Sequence, residues 1–130
     1  MPADYELVLA NSGKHLAWAS LADSWTKRMV GLLRHDSLGP DEALFFPGCH
    51  SIHTFGMRFT IDAIFIDRAW RIVALRPGLA PGKIVLPILG AWGVIEVAED
   101  FIAHQGLKKD DLLELVKVLN GSQKNLSKVV

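Results

Sequence analysis

The stretch 45–67, which reads FFPGCHSIHTFGMRFTIDAIFID, contains the only cysteine of the chain, two of its five histidines and its longest apolar strand pattern. Residues 58–67 alternate as in a β-strand, with apolar side chains on both faces and a carboxylate, Asp62, in the middle. A strand that is apolar on both faces must be covered on both sides by the rest of the protein. We therefore expect it at the centre of a sheet around which the remaining chain folds.

The length and composition of the chain predict one soluble domain. Half of its 130 residues are hydrophobic, which is enough apolar material to close one core. We expect a single domain over 1–130, with its core at about 15–116, a lead-in at 1–13 and a frayed tail at 120–130. No apolar run approaches the ~20 residues that span a bilayer, so we expect no membrane partner.

The charge balance and the cysteine count restrict the partners and the compartment. The 14 Lys and Arg residues balance 14 Asp and Glu residues, so no net field attracts nucleic acid or anionic lipid. Cys49 is the only cysteine and cannot form an intrachain disulfide bond. The N-terminal residues lack the basic start and long apolar core of a secretory signal. We therefore expect a cytoplasmic protein that binds no nucleic acid.

One amphipathic helix is predicted at about 24–33. Asp23 or Ser24 can accept hydrogen bonds from the free backbone N–H groups of its first turn. Four apolar side chains recur at helical spacing along this segment: Trp25, Met29, Leu32 and Leu33. The helix therefore has an apolar stripe that can lie across a sheet.

The rest of the chain is predicted to form short strands and loops. Alternating apolar residues bounded by turn residues predict strands at 5–9, 15–19, 43–46, 71–75, 93–98 and 112–119, and a helical turn at 99–104. The strand at 71–75 should form a hairpin with the strand at 58–67. Residues 76–90 include three prolines and three glycines and few polar side chains. We expect an ordered loop there, the 77–90 loop, which can act as a lid.

Several motifs along the chain carry a family resemblance: Arg28-x-x-Gly31-Leu32-Leu33, Phe45, His53-Thr54-Phe55-Gly56-Met57-Arg58, Ile61-Asp62-Ala63-Ile64-Phe65-Ile66-Asp67 and Val94-Ile95-Glu96-Val97. In this order they resemble domain-of-unknown-function family 192, over roughly residues 15–116. The resemblance implies an α+β fold, mainly β: a small, partly open antiparallel β-barrel with the 24–33 helix packed across it. The family has no assigned activity, so the resemblance implies no mechanism.

The sequence departs from the family at three turns. The family commonly has an Asp-x-x-Gly turn where this chain has Asp67-Arg68-Ala69-Trp70, and a tryptophan at positive φ would cost about 1–2 kcal/mol. A Gly-Asp pair of the family is Asp110-Asp111 here, and Glu99-Asp100 stands where the family tends to have a glycine. We therefore expect the backbone to differ from the family at these turns.

Cys49, His50 and His53 suggest either a thiol nucleophile with a histidine base or part of a metal site. In an extended chain, Cys49 and His53 lie on one face but about 13 Å apart at ~3.3 Å per residue, which is too far for a hydrogen bond or a shared ion. A buried, unreactive thiol is the commoner situation for a free cysteine. We expect no metal, because no second element with ligand spacing accompanies these residues.

His53 and Asp62 can face each other across the turn at Gly56, which would provide a carboxylate that orients an imidazole for acid–base catalysis. Alternatively, Asp62 is a structural acid paired with Arg28 or Arg58, since a buried charge must be paired or hydrogen-bonded. Glu96, in the middle of an apolar strand, allows the same two interpretations.

Three functions remain open from the sequence. The favoured one is a binding module without a cofactor, whose small-molecule or peptide site lies between the 53–58 loop and the 77–90 loop. The predicted ligand-binding residues are His53, Thr54, Met57 and Arg58. The second is an enzyme that uses His53 and Asp62, with Cys49 as an optional nucleophile. The third is a homodimer or other assembly formed through exposed apolar residues of the 77–95 stretch.

Overall fold

The structure, a computed structural model, describes residues 4–22, 37–119 and 122–125. The helix predicted at 24–33, and with it Arg28, lies outside the described residues.

The described residues form ten strands and one short helix. In chain order the strands are β1 (Tyr5–Leu9), β2 (His15–Leu21), β3 (Glu42–Pro47), β4 (Ile52–His53), β5 (Ile61–Ile66), β6 (Ile72–Leu79), β7 (Ile84–Val85), β8 (Gly93–Ala98), β9 (Leu113–Leu119) and β10 (Ser122–Asn125), and the helix α1 (Phe101–Gln105) follows β8. The mostly β fold is confirmed, and β1 and β8 have the predicted bounds. The strand β10 lies within the tail that was predicted to fray.

Eight strands form one large sheet in the order β10-β9-β1-β2-β3-β8-β5-β6, and β4 and β7 form a separate two-stranded ribbon. The sheet is mixed rather than wholly antiparallel, because β2 and β3 run parallel. The sheet curls, and an isolated bridge between Arg71 and Leu112 links β6 to the start of β9. It does not close into a barrel, so the predicted partly open architecture is confirmed.

All six residues of β5 are buried, which confirms that this strand is covered on both faces. Ile64 and Ile66 contribute to the main core, which also contains Phe45, while Ala63 and Phe65 contribute to a second cluster on the other face. The predicted central position is wrong, since β5 lies second from one end of the sheet, between β8 and β6. Burial on both faces does not require a central position here, because the β4–β7 ribbon covers the second face.

The predicted hairpin of β5 with the next strand is confirmed, but β6 continues to Leu79. The 77–90 segment is therefore not one loop: its first residues end β6 and its middle forms β7. Pro77 lacks a backbone N–H, and Gly78 has φ 65°. Both are tolerated because β6 is the edge strand of the sheet, where one side of the backbone needs no partner strand. No helix of the described ranges is long and apolar enough to cross a bilayer.

Asp62 is completely buried in β5. Its Oδ1 accepts the backbone N–H of Gly78 at 2.9 Å, and its Oδ2 accepts the backbone N–H of Ile102 at 3.0 Å. The carboxylate thus joins β5 to the end of β6 and to α1 through two backbone amides, which the sequence did not predict.

The three turns at which the sequence departs from the family all have a residue with positive φ. The φ angles are 65° at Trp70, 72° at Asp100 and 78° at Asp110. At Trp70 the turn is held by Asp67, whose Oδ1 accepts the N–H groups of Ala69 and Arg71. The Trp70 indole is buried against the Phe45 ring, with the ring centroids 4.7 Å apart, and this burial offsets the strain. Each of the three residues thus has the left-handed conformation that glycine adopts freely.

Substituting Asp62→Ala should lower the free energy of unfolding by about 3 kcal/mol, because two buried N–H groups lose an ionised acceptor. Urea unfolding followed by circular dichroism measures this change. The matched control is Asp41→Ala, at an exposed position, for which a change within about 0.5 kcal/mol is expected. Equal unfolding midpoints for Asp62→Ala and wild type would contradict the anchoring role of this carboxylate.

Substituting Asp110→Gly should raise the free energy of unfolding by about 0.5–1 kcal/mol, since glycine removes the strain at φ 78°. Thermal unfolding measures the effect. The control is Asp111→Gly, which should be destabilising because the Asp111 carboxylate accepts the N–H of Lys108 at 2.9 Å. A lower unfolding temperature for Asp110→Gly would show that the turn does not store this strain.

Candidate functional site

A groove of about 270 Å³ lies along the β4–β7 ribbon. It is lined by Ser51, Ile52, His53, Phe55, Ile84, Val85, Leu86 and Pro87. The groove combines residues of the predicted 53–58 and 77–90 loops, so the structure brings these two segments together as the sequence predicted.

The alternation of side chains along the ribbon separates the floor of the groove from its rim. In the ribbon, Ile52 pairs with Val85 and His53 pairs with Ile84. Ile52 and Val85 are buried in the cluster that covers the second face of β5, whereas Ile84 is 60% exposed. Successive side chains of a strand point to opposite faces. In each two-residue strand, one side chain therefore packs against the sheet and the other faces outward.

Thr54 fastens the end of β4 to the turn before β7. Its hydroxyl donates to the carbonyl oxygen of Ala80 at 2.6 Å and accepts the N–H of Lys83 at 2.8 Å. Its backbone N–H donates to the Lys83 carbonyl at 2.8 Å, and its carbonyl accepts the N–H of Gly82 at 3.0 Å. Thr54 is buried, so its role in this structure is to hold the two segments that form the groove.

Three large apolar side chains that line the groove are exposed: Phe55 (48%), Ile84 (60%) and Leu86 (74%). Leu89, three residues after Leu86 in the chain, is completely exposed. The His53 ring lies beside the Phe55 ring, with centroids 5.0 Å apart, and its Nδ1 accepts the Phe55 N–H at 3.3 Å. The rim is thus apolar, with one imidazole in its wall.

The four predicted ligand-binding residues have different positions. His53 lines the groove, and Arg58 is exposed beyond it. Met57 is buried with Ile61 in a small apolar cluster, and Thr54 is occupied by the contacts described above. Of the four, the structure therefore places only His53 on the groove surface.

Cys49 and His53 are not brought together as a nucleophile and its base. The Cys49 thiol is half-buried, donates to the carbonyl oxygen of Ser51 at 3.2 Å and packs against the cluster on the second face of β5. Within residues 4–22, 37–119 and 122–125, no group of three or more His, Cys, Asp or Glu residues has the geometry to hold a metal ion.

His53 and Asp62 belong to different contacts. The two oxygens of Asp62 accept the backbone N–H groups of Gly78 and Ile102, whereas His53 lies on the ribbon. In the described part of the chain no hydrogen bond joins the two side chains. Glu96 is also buried, on β8, where its neighbours in the adjacent strands are Leu44 and Ala63.

A second hollow, of about 340 Å³, is lined by Pro40, Ala98, Glu99, Phe101, His104 and Gln105. Half of its lining residues are polar, and none of the sequence-predicted site residues lies there. We therefore regard the groove as the stronger candidate, because it alone of the two joins a predicted site residue to exposed apolar side chains.

Sequence reasoning missed the rim residues Ile84 and Leu86 as individual site residues. The signal in the sequence is the short alternation of residues 84–86 between two prolines at 81 and 87. Two strand residues are too few for a periodicity argument, so the alternation is visible only once the ribbon is known.

Comparisons with known proteins agree with the fold. The model of the DUF192 family, described as "Uncharacterized ACR", matches residues 7–115. The UPF0127 protein PH1112 of Pyrococcus horikoshii is 35% identical over 98 residues, which cover 68% of this chain and 82% of that protein.

Two crystal structures have the same fold. A candidate transcription regulator of Sinorhizobium meliloti aligns with a TM-score of 0.71 at 20% identity, over 85% of this chain and 91% of that one. A protein of unknown function from Novosphingobium aromaticivorans aligns with a TM-score of 0.70 at 22% identity, over 85% and 82% of the two chains. At these identities the likeness concerns the fold alone.

Substituting Thr54→Val should lower the free energy of unfolding by about 1–3 kcal/mol, because the Lys83 N–H and the Ala80 carbonyl lose their partner in a buried place. Amide hydrogen exchange at Lys83 and Gly82 should accelerate as the ribbon loosens. The matched control, Thr54→Ser, keeps the hydroxyl and loses one methyl group, which costs only about 0.8 kcal/mol. Unchanged exchange at both amides in Thr54→Val would show that this hydroxyl does not hold the ribbon.

Proposed function

The chain belongs to the DUF192 family of uncharacterised proteins, and we propose that it is a small binding module whose β4–β7 groove holds apolar groups of a ligand or peptide. The observation that supports this function is the exposure of Phe55, Ile84 and Leu86 around one concavity. A monomeric protein rarely leaves a contiguous group of large apolar side chains in water unless that surface binds something.

The size of the groove limits what it can hold. Its volume of about 270 Å³ lies below the ~300–1,000 Å³ of typical small-molecule pockets. At ~30 Å³ per water molecule it corresponds to roughly nine waters. The groove therefore fits one or two apolar side chains or a fragment of that size better than a large cofactor.

Apolar contact alone gives weak binding. Covering the exposed parts of Ile84 and Leu86 contributes about 1–2 kcal/mol each, from the ~1.5–3 kcal/mol of complete burial. Association itself costs an estimated 4–15 kcal/mol. A ligand of useful affinity must therefore make polar or charged contacts around the groove as well.

The enzyme alternative receives less support from the geometry. Acid–base catalysis by His53 and Asp62 requires the two side chains to meet, but both Asp62 oxygens are already bonded to backbone amides. Self-association remains the second candidate, because the fully exposed Leu89 belongs to the 77–95 stretch that the sequence analysis assigned to a dimer surface. We also retain the proposals of a cytoplasmic location, based on the single cysteine, and of no nucleic-acid or membrane partner.

Two neutral probes, N-acetylleucinamide and N-acetylphenylalaninamide, test the proposed site. In titrations of the ¹⁵N-labelled protein, either probe should shift the amide resonances of Phe55, Ile84 and Leu86. Ile84→Asp should weaken this binding at least fivefold, because a charged side chain replaces part of the apolar rim. Leu112→Asp, at a 41% exposed leucine that does not line the groove, is the control and should leave it unchanged. The absence of groove shifts with both probes would refute the site.

A further inference from the structure

The charges of this neutral chain are distributed unevenly about the groove. The sequence contains no Asp or Glu from residue 43 to 61 or from 68 to 95, and these two segments carry both strands of the ribbon and all of its rim. Their five basic residues are Arg58, Arg68, Arg71, Arg76 and Lys83. The rest of the chain has nine basic residues and all 14 acidic ones. The balanced total therefore conceals two segments without acidic residues, and of their five cations Lys83 lies next to the groove.

Lys83 is the basic residue tied most directly to the groove. It immediately precedes Ile84, its backbone is bonded to Thr54 through both its N–H and its carbonyl, and its side chain is exposed. Hydrogen bonds thus hold the backbone of this lysine next to the rim.

The rim also has a regular spacing. Ile84 and Leu86 are two residues apart, and the buried Val85 between them faces the other way. Leu86 is the residue after the end of β7. Residues two apart in an extended chain present side chains about 6.6 Å from each other. An extended peptide has the same repeat between alternate side chains, so two of its apolar side chains can contact the two rim residues in register.

We propose that the natural occupant of the groove is an extended peptide segment of a partner protein that combines bulky apolar residues at alternate positions with Asp or Glu residues. This inference rests on the proposed binding function. The alternate apolar residues would contact Ile84 and Leu86, and the acidic residues would lie near Lys83. Such rim charges increase the association rate and discriminate between partners more than they add affinity.

Two other occupants fit the structure less well. In a symmetric dimer the same face of both copies meets, which would set Lys83 of one copy near Lys83 of the other. An anionic lipid surface would suit apolar and basic residues together, but lipid insertion requires a projecting apolar tip, whereas Ile52 and Val85 form the floor of a concave groove.

A random nonapeptide phage library, selected on the immobilised full chain, tests the inference. Selected sequences should be enriched in Asp and Glu and should carry Leu, Ile or Phe at alternate positions. The best peptide, labelled with fluorescein, should bind at least fivefold more weakly to Lys83→Glu and at 300 mM instead of 50 mM salt. The matched control, Lys109→Glu, makes the same charge change at an exposed position that does not line the groove, and should alter binding less than twofold.

The outcomes separate this inference from the function on which it rests. Selection of neutral or basic peptides, or of none, while the two amide probes still shift the groove resonances, overturns the acidic peptide and leaves the binding site standing. If neither amide probe shifts the groove resonances and the library yields no binding peptide, both the binding site and the acidic peptide are refuted. Cosedimentation with phosphatidylserine vesicles that is lost in Leu89→Ser would show that the occupant is a membrane surface instead of a peptide. A dimer in analytical sedimentation that is lost in Leu86→Asp would show that the occupant is a second copy of this chain.

Discussion

The buried carboxylate of Asp62 is the contact on which the arrangement of this protein depends. It lies in a strand whose side chains are all buried, where an ionised group needs hydrogen bonds on both of its oxygens. The two amides that it binds come from positions 16 and 40 residues further along the chain. Because the charge cannot stay buried without them, the end of β6 and the start of α1 must both lie against β5. The hydrogen-bonding requirement of one buried carboxylate thus positions the end of β6 and the start of α1 against β5.

The candidate site results from the way the β4–β7 ribbon covers the second face of β5. The side chains of Ala63 and Phe65 need an apolar layer above them, and the β4–β7 ribbon supplies it with Ile52 and Val85. A strand residue that points inward leaves its neighbours pointing outward, so the attachment of the ribbon necessarily presents His53 and Ile84 to the surface. The groove therefore arises from the same need to cover the apolar face of β5 that places the ribbon against the sheet.

The turns at Trp70, Asp100 and Asp110 show that residues other than glycine can be held in a backbone conformation that glycine adopts most easily. Each has positive φ at a position where the family resemblance leads one to expect glycine. At Trp70 the contact with Phe45 and the hydrogen bonds to Asp67 hold the strained residue in place. Tertiary contacts thus override a local preference of about 1–2 kcal/mol, which is small compared with the burial of an indole ring.

The sequence by itself determined most of the longer strands, that β5 is apolar on both faces and that Asp62 is a buried acid, because alternation and composition report burial directly. It also brought the 53–58 and 77–90 segments to one site. It did not predict β7 or β10. Only the tertiary structure decided that amides of Gly78 and Ile102 bind the carboxylate, that β2 and β3 run parallel, and that a two-residue ribbon covers β5. Local patterns encode which way a side chain faces. The partner that it meets depends on contacts between residues far apart in the chain.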